Sequence, residues 1–388
     1  MTYIGSKPAD KVLTASDITD GVVSTAKIAD NAVTADKTSY KDVPFRNIII
    51  NGDMNLAQRG TSTSGITNAS GDVFVIDRFC WAESGGMTSQ FTMSQDTDVP
   101  SGYGFAKSLK LDCTTTDTPA TTERIRIETR FEGQNLQYLK KGTANAESWT
   151  LSFWVKSVKT GTYIVNFRDE DNTRIVSKAY TISEASTWEK KTITVAPDTT
   201  DPFDNDNAHS LTIAWILSAG SSLQSGSLAD TWQDYANANY AAGQVNFADS
   251  TSNDFWITGI QLEVGTSASD FEFLPYDVNL ERSKRYFQNI VNGTGETCGL
   301  MRTGVSLNIV IPCIPEMRTT PSLVQTTGTD YYRAITNNDV NFGGFSGMLG
   351  EATNKFAGCY AGNISPDGDC GFFLTNDASA RIDFNAEL

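Results

Sequence analysis

The sequence predicts an all-β protein built around an antiparallel β-sandwich, and three observations carry that prediction. In SWTLSFWVKS (148–157), Leu151, Phe153 and Val155 alternate with Thr150, Ser152, Trp154 and Lys156. A period of two sends the two sets to opposite faces of one pleated strand. Next comes a hairpin, in which 162–167 and 174–182, both rich in β-branched and aromatic residues, flank the polar turn DEDN (169–172). The same grammar returns at 192–195, 211–217 and 255–264, joined by Gly, Ser, Thr, Asn and Asp rather than by helical patterns. Each such strand has one face to bury, and two facing sheets bury them.

Taken in order, residues 1–44 stand apart. ASDITDGVV (15–23) and AKIADNAV (26–33) repeat about ten residues apart, with Ile18 matching Ile28, Asp20 matching Asp30, Gly21 matching Asn31 and Val23 matching Val33. One unit holds too few apolar residues for a core of its own, so the repeat predicts an extended segment packed between chains. Strands are then expected at 47–51 and 54–58 around an NGD turn, and at 73–81, 105–113 and 124–131. In the last of these, Arg124, Arg126 and Arg130 share one face and Ile125, Ile127 and Thr129 the other. Residues 218–250 are the longest stretch without alternation, with a short helix expected at 228–236, and a helical connector is expected at 279–287. Short strands separated by Gly-rich turns fill the remainder. The reading is therefore a segment at 1–44, a sandwich at 45–278 and a second, smaller β domain at 279–388.

Composition narrows the function. Of 388 residues, 30 are Lys or Arg and 46 Asp or Glu, a net charge of −16. General nucleic-acid binding needs clustered cations to displace counterions from phosphate, and adsorption to anionic membrane needs them too. No stretch approaches 18 consecutive apolar residues, and the start MTYIGSKPADK lacks the apolar run of a secretion signal. Six scattered cysteines without a Cys-x-x-Cys pair read as free thiols, with Cys359 and Cys370 placed to fall on neighbouring strands.

No catalytic motif emerges, and the reading is non-enzymatic. His209, the single histidine, sits in DNDNAHS with no Gly-x-Ser-x-Gly elbow and reads as a solvated turn residue. Phosphate loops and dinucleotide fingerprints are missing. Two acidic clusters, Asp169 with Asp171 and Asp198, Asp201, Asp204 and Asp206, could supply oxygens to calcium, or could be solvated turns. No other cofactor is expected. Aromatic residues remain. Trp149, Trp154, Trp188, Trp215 and Trp256 lie in or beside strands and read as core. Trp232, Tyr235 and Tyr240 lie in the polar 218–250 stretch, where they could stack on a sugar or fold back onto the sandwich.

Four groups of motifs carry a family resemblance: NIIINGDMNLAQRGTS with VIDRFCW, SFWVKSVKTGTY with TWEK, DFWITGIQLEVG with FLPYDV, and MRTTP with the closing NAEL. Together they resemble phage tail-fibre and receptor-binding proteins of the marine and cyanobacterial type. That resemblance implies a central jelly roll similar to carbohydrate-binding modules, a homotrimer, and attachment to other tail proteins through 1–44, with 279–388 as a distal tip. It also implies a virion protein assembled in the host cytoplasm that adsorbs to a cell-surface glycan. Trp232, Tyr235 and Tyr240 would then be the glycan contacts, and Asp201, Asp204 and Asp206 a structural calcium site. A tail adaptor without host binding and a glycan depolymerase are the alternatives.

Overall fold

Alternation becomes architecture in the computed structural model of the chain, which describes residues 45–298, 300–303, 306–335, 339–362 and 370–388. The repeat at 1–44 lies outside the described residues. Thirteen strands come first: β1 (Ser62–Ile66), β2 (Val73–Phe74), β3 (Cys80–Ser84), β4 (Gln90–Asp96), β5 (Ser108–Thr115) and β6 (Arg124–Glu132). They continue as β7 (Trp149–Ser157), β8 (Gly161–Asp169), β9 (Arg174–Ile182), β10 (Glu189–Val195), β11 (His209–Ala219), β12 (Gln233–Asp234) and β13 (Asp254–Val264). These form two antiparallel sheets, ordered β1-β4-β5-β13-β7-β10 and β12-β9-β8-β11-β6-β3-β2. From β5 to β8 the chain changes sheet at every step, and it does so again through β9, β10 and β11. This is the all-β jelly roll that the sequence predicts.

The period-two face of β7 fills the space between the sheets. Leu151, Phe153 and Val155 are fully buried against Tyr163, Phe167, Ile213 and Trp215 of the facing sheet. Each such side chain contributes about 1.5–3 kcal/mol. In β13 the alternation changes parity, with Phe255 and Ile257 inward before Gly259 and Ile260 and Leu262 inward after it. Gly259 forms a bulge with φ +62°, and a Cβ there would lie 2.5 Å from the Phe105 ring, so only glycine fits.

Helix α1 (Tyr276–Lys284), three residues ahead of the expected connector, leads to the second region. Its strands are β14 (Phe287–Asn292), β15 (Leu300–Thr303), β16 (Ser306–Pro312), β17 (Ser322–Gln325) and β18 (Tyr332–Ile335). β19 (Val340–Phe342), β20 (Gly347–Met348), β21 (Phe356–Gly362), β22 (Cys370–Thr375) and β23 (Arg381–Asn385) complete it. A three-stranded sheet, β14-β23-β17, and a seven-stranded one, β19-β18-β22-β15-β16-β21-β20, enclose a second core around Leu307, Ile309, Tyr332, Phe373 and Phe384. β15 and β16 separate the strands that carry Cys359 and Cys370, so these two cysteines are not on neighbouring strands.

Three local expectations fail for identifiable reasons. Residues 47–58 join no sheet, because the Asn51 side chain accepts from Leu56 N–H and donates to the carbonyls of Leu56 and Asp77. It thereby takes the place of a strand partner. The 73–81 strand breaks between β2 and β3, where Asp77 and Arg78 turn inward. The 228–236 helix does not form. Instead 220–249 crosses the outer face of the seven-stranded sandwich sheet, and Leu223, Ala229 and Ala241 cover Ile164, Ile175 and Ile216.

Residues 45–388 are one unit, and polar contacts join its two cores. Asp77, fully buried, accepts from Gln58 N–H and Nε2 and from Ser283 Oγ. Glu387 pairs with Arg59 at 3.1 Å and with Arg78, whose guanidinium lies 3.4 Å from the Tyr286 ring centre. Arg285 grips Glu132 through two 2.7 Å bonds, and Arg381 donates to the carbonyls of Gln58 and Arg59.

On the outer face of β6, Arg126 and Arg130 flank Glu128, as the alternation predicts for the arginines, and Arg130 also reaches the carbonyl of Leu388. Burial alone would raise the Glu128 carboxyl, but the two guanidinium groups outweigh it and hold the carboxyl below its usual range. The resulting stability is present above about pH 4.5 and is lost as pH falls through the depressed folded value. Glu128→Gln should therefore cost about 3 kcal/mol at pH 7. Urea denaturation of both proteins at a series of pH values should show that deficit shrinking in acid.

Candidate functional site

Strand register builds an aromatic and charged face on the outside of the six-stranded sheet. Trp256 on β13 stands opposite Lys110 of β5 on one side and Lys156 of β7 on the other. Trp188, one residue ahead of β10, continues that row, since Glu189 pairs with Val155. Cations and rings thus alternate across four strands. Lys156 Nζ lies 4.0 Å from the Trp256 ring centre and 5.5 Å from that of Trp188, and Lys110 Nζ lies 5.1 Å from Trp256. In the neighbouring row Trp154 stands between Thr258 and Lys190, and the Tyr103 ring packs 4.3 Å from it, centre to centre.

Carboxylates fix these rings. Asp98 accepts from Trp188 Nε1 at 2.9 Å and pairs with Lys156, while Asp96 accepts from Trp256 Nε1 at 3.0 Å. Burial pushes the Asp96 carboxyl up, yet the indole bond and the amides of Asp98 and Thr97 outweigh it, and the group stays below the usual range. Trp256 is only 8% exposed, whereas Trp154 and Trp188 are half-buried and Tyr103 is 56% exposed. The result is an apolar ledge of Tyr103, Trp154 and Trp188, edged by Asp98 and Lys190. Such a ledge can stack a flat C–H surface and bond to hydroxyls beside it. Asp112 stands directly opposite Asp254, and burial together with that neighbour raises its carboxyl. Two carboxylates in contact leave no room for the glycosidic bond that a hydrolase places between its pair, at separations of about 5 Å or more.

Trp154, Trp188 and Trp256, which read as core in the sequence, lie outside it. Of the tryptophans read that way, only Trp149 and Trp215 lie between the sheets. The signal was present: Trp154 shares its alternation class with Thr150, Ser152 and Lys156, and a residue in a polar class faces out.

The residues expected to contact glycan are placed elsewhere and do not form one surface. Tyr240 is fully buried beneath its own loop, 5.9 Å from Tyr235, which leaves it no face for a ligand. Tyr235, half-buried, donates to Asn237 Oδ1 at 2.8 Å and lies under Arg168. Trp232 packs edge-on against Trp149 at 5.6 Å and donates to the carbonyl of Ala196. It plugs one end of the sandwich.

The calcium expectation is corrected as well. Asp201, Asp204 and Asp206 do not converge, and among the described residues no group of three or more Asp, Glu, His or Cys is arranged to hold a metal. Asp206 accepts from Ala208 N–H, and Asp204 N–H donates to Asp171. The oxygens that do converge meet on a lysine. Lys141 Nζ, almost wholly buried, bonds to Asp169 at 2.6 Å, to the carbonyls of Thr200 and Asp201, and pairs with Asp198 at 3.2 Å. An ammonium stands where the spacing suggested a metal. His209 is not a solvated turn residue either. It opens β11, burial depresses its pKa, and its Nε2 lies 2.8 Å from Thr212 Oγ1, which donates to Glu170.

Neither a family model nor a curated protein matches the chain. Among solved structures, it is similar to the enzymatically active domain of tailspike protein 4 of bacteriophage CBA120, at 14% identity and a TM-score of 0.28. That match covers 52% of this chain and 21% of the tailspike chain, so this chain spans about a fifth of its length. A CBM4 structure matches at 11% identity and TM-score 0.30, covering 55% of this chain and 98% of the other. The family 11 carbohydrate-binding module of the Clostridium thermocellum cellulase Lic26A-Cel5E matches at 10% and 0.26, covering 53% and 97%. Likeness at such scores does not bear on function, and the face itself has to supply the argument.

Lys141→Met would leave Asp169 and Asp198 buried without their ammonium. The expected cost is about 3–5 kcal/mol, read by chemical denaturation, while millimolar calcium should leave the melting temperature of the unaltered protein where it is.

Proposed function

We propose that this protein binds glycan through the outer face of the six-stranded sheet, as the host-recognition part of a phage tail fibre. The observation that carries this reading is the ledge of Tyr103, Trp154 and Trp188 with Asp98 and Lys190 at its edge. Pyranose rings present an apolar C–H surface on one side and hydroxyls around the rim, and the ledge offers the complement of both. Trp154 sits on a paired strand, the Asp98 bond holds Trp188 and Trp154 packs against Tyr103, so little ordering is needed when a sugar arrives. The virion assignment is supported by the order of the four sequence motifs and by the ten-residue repeat at 1–44. That repeat is read as the segment that trimerises the fibre and joins it to other tail proteins. A trimer multiplies several weak sugar contacts on one particle through effective concentration, and its closed symmetry suits a fibre axis.

Adsorption of the fluorescently labelled full-length protein to host cells, alongside a glycan array, tests both parts. The double variant Tyr103→Ala, Trp154→Ala removes two ring faces of about 0.5–1.5 kcal/mol each, so binding should weaken at least fivefold with the melting temperature unchanged. Full binding by that variant would rule out the ledge. No binding to host cells or glycans by the unaltered protein would instead point to an adaptor within the tail.

A further inference from the structure

A second concavity lies between the sandwich and α1. Its volume is about 260 Å³, and Phe45, Ile48, Phe131, Tyr138, Arg282 and Tyr286 are among its lining residues. Four arginines border it, which is unexpected in a chain of net charge −16. Three are neutralised: Arg78 by Glu387, Arg130 by Glu128 and Asp72, and Arg285 by Glu132. Arg282 is not. Among the described residues no carboxylate comes within 4.0 Å of it. Its Nη2 has one long bond of 3.4 Å to the carbonyl of Ile48, and its Nη1 is buried with no partner. Burial also depresses its pKa, against opposing influences from Tyr286, Glu272 and Tyr138. The Glu272 carboxylate is itself engaged by the amides of Phe45 and Asn47.

We propose that this cavity takes a single carboxylate-bearing sugar unit, a hexuronic acid, with its carboxylate on Arg282 and one ring face against Tyr138. One uncompensated positive charge calls for a monoanion rather than a doubly charged phosphate. A guanidinium with a free N–H is suited to a carboxylate oxygen. The walls explain why a bare anion is not enough: Tyr138 and Phe45 leave 45% and 62% of their surfaces in solvent, and a sugar's C–H face covers such rings. The size fits one unit, since the cavity falls below the roughly 300–1,000 Å³ of sites for larger organic ligands. None of its lining residues belongs to the ledge on the six-stranded sheet, so the inference is independent of that reading.

Saturation-transfer NMR and calorimetry on the full chain, with D-glucuronate, D-glucose and N-acetylglutamate amide as probes, decide it. D-glucuronate should bind and D-glucose should not displace it. Arg282→Gln should weaken glucuronate binding at least tenfold, Tyr138→Ala should weaken it severalfold, and Trp154→Ala should leave it unchanged. Tyr138 is exposed enough for its variant to keep the fold, so it carries the test if Arg282→Gln melts early. Absence of glucuronate binding, or undiminished binding in the Tyr138 and Arg282 variants, would overturn the proposal. Equal or tighter binding of N-acetylglutamate amide would overturn the sugar assignment in favour of a peptide carboxylate.

Discussion

The unit from Phe45 to Leu388 depends on how its two cores are joined, and the join is polar. Asp77 is buried with no neighbouring charge closer than Arg59 at 3.8 Å among the described residues, and burial raises its carboxyl despite that guanidinium. It is tolerated because Gln58 and Ser283 bond to it from both sides of the junction. A buried carboxylate stays paired only while every partner is present, and the partners of this one, which lies between β2 and β3, come from the entry stretch and from α1. Glu387 does the same for Arg59 and Arg78. Apolar packing would let the halves slide; these bonds fix one arrangement.

That junction also shows what the chain made legible. Strands whose two faces differ were readable, because alternation is the physical signature of a face buried between sheets. The motifs at 47–62, 75–81, 317–321 and 385–388 were recognisable as distinctive strings, and the structure brings them together. Gln58 meets Asp77, Arg78 meets Glu387, and Arg318 donates to the carbonyls of Ala386 and Glu387. Their spacing says nothing of this, since the partners lie up to 328 residues apart.

The site was less legible, for two separate reasons. Aromatic residues in a loop look available, but the outer face of the seven-stranded sheet carries Ile164, Ile175 and Ile216, and something had to cover them. Tyr240 was drawn into that cover. Conversely, tryptophans in strands look like core, yet a strand has two faces, and Trp154 stood in the polar set. The acidic run at 198–206 misled in another way: counting carboxylates ignores cations from elsewhere, and Lys141 arrives from the connection between β6 and β7.

The contact between Arg130 and Leu388 has a mechanical consequence. Arg130 also borders the cavity that Phe45 lines, so residues 45 and 388 both lie beside the same stretch of β6. Force applied between those two residues would load the polar contacts around Arg130 first and reach the strand ladders of the two sheets only after those contacts had parted.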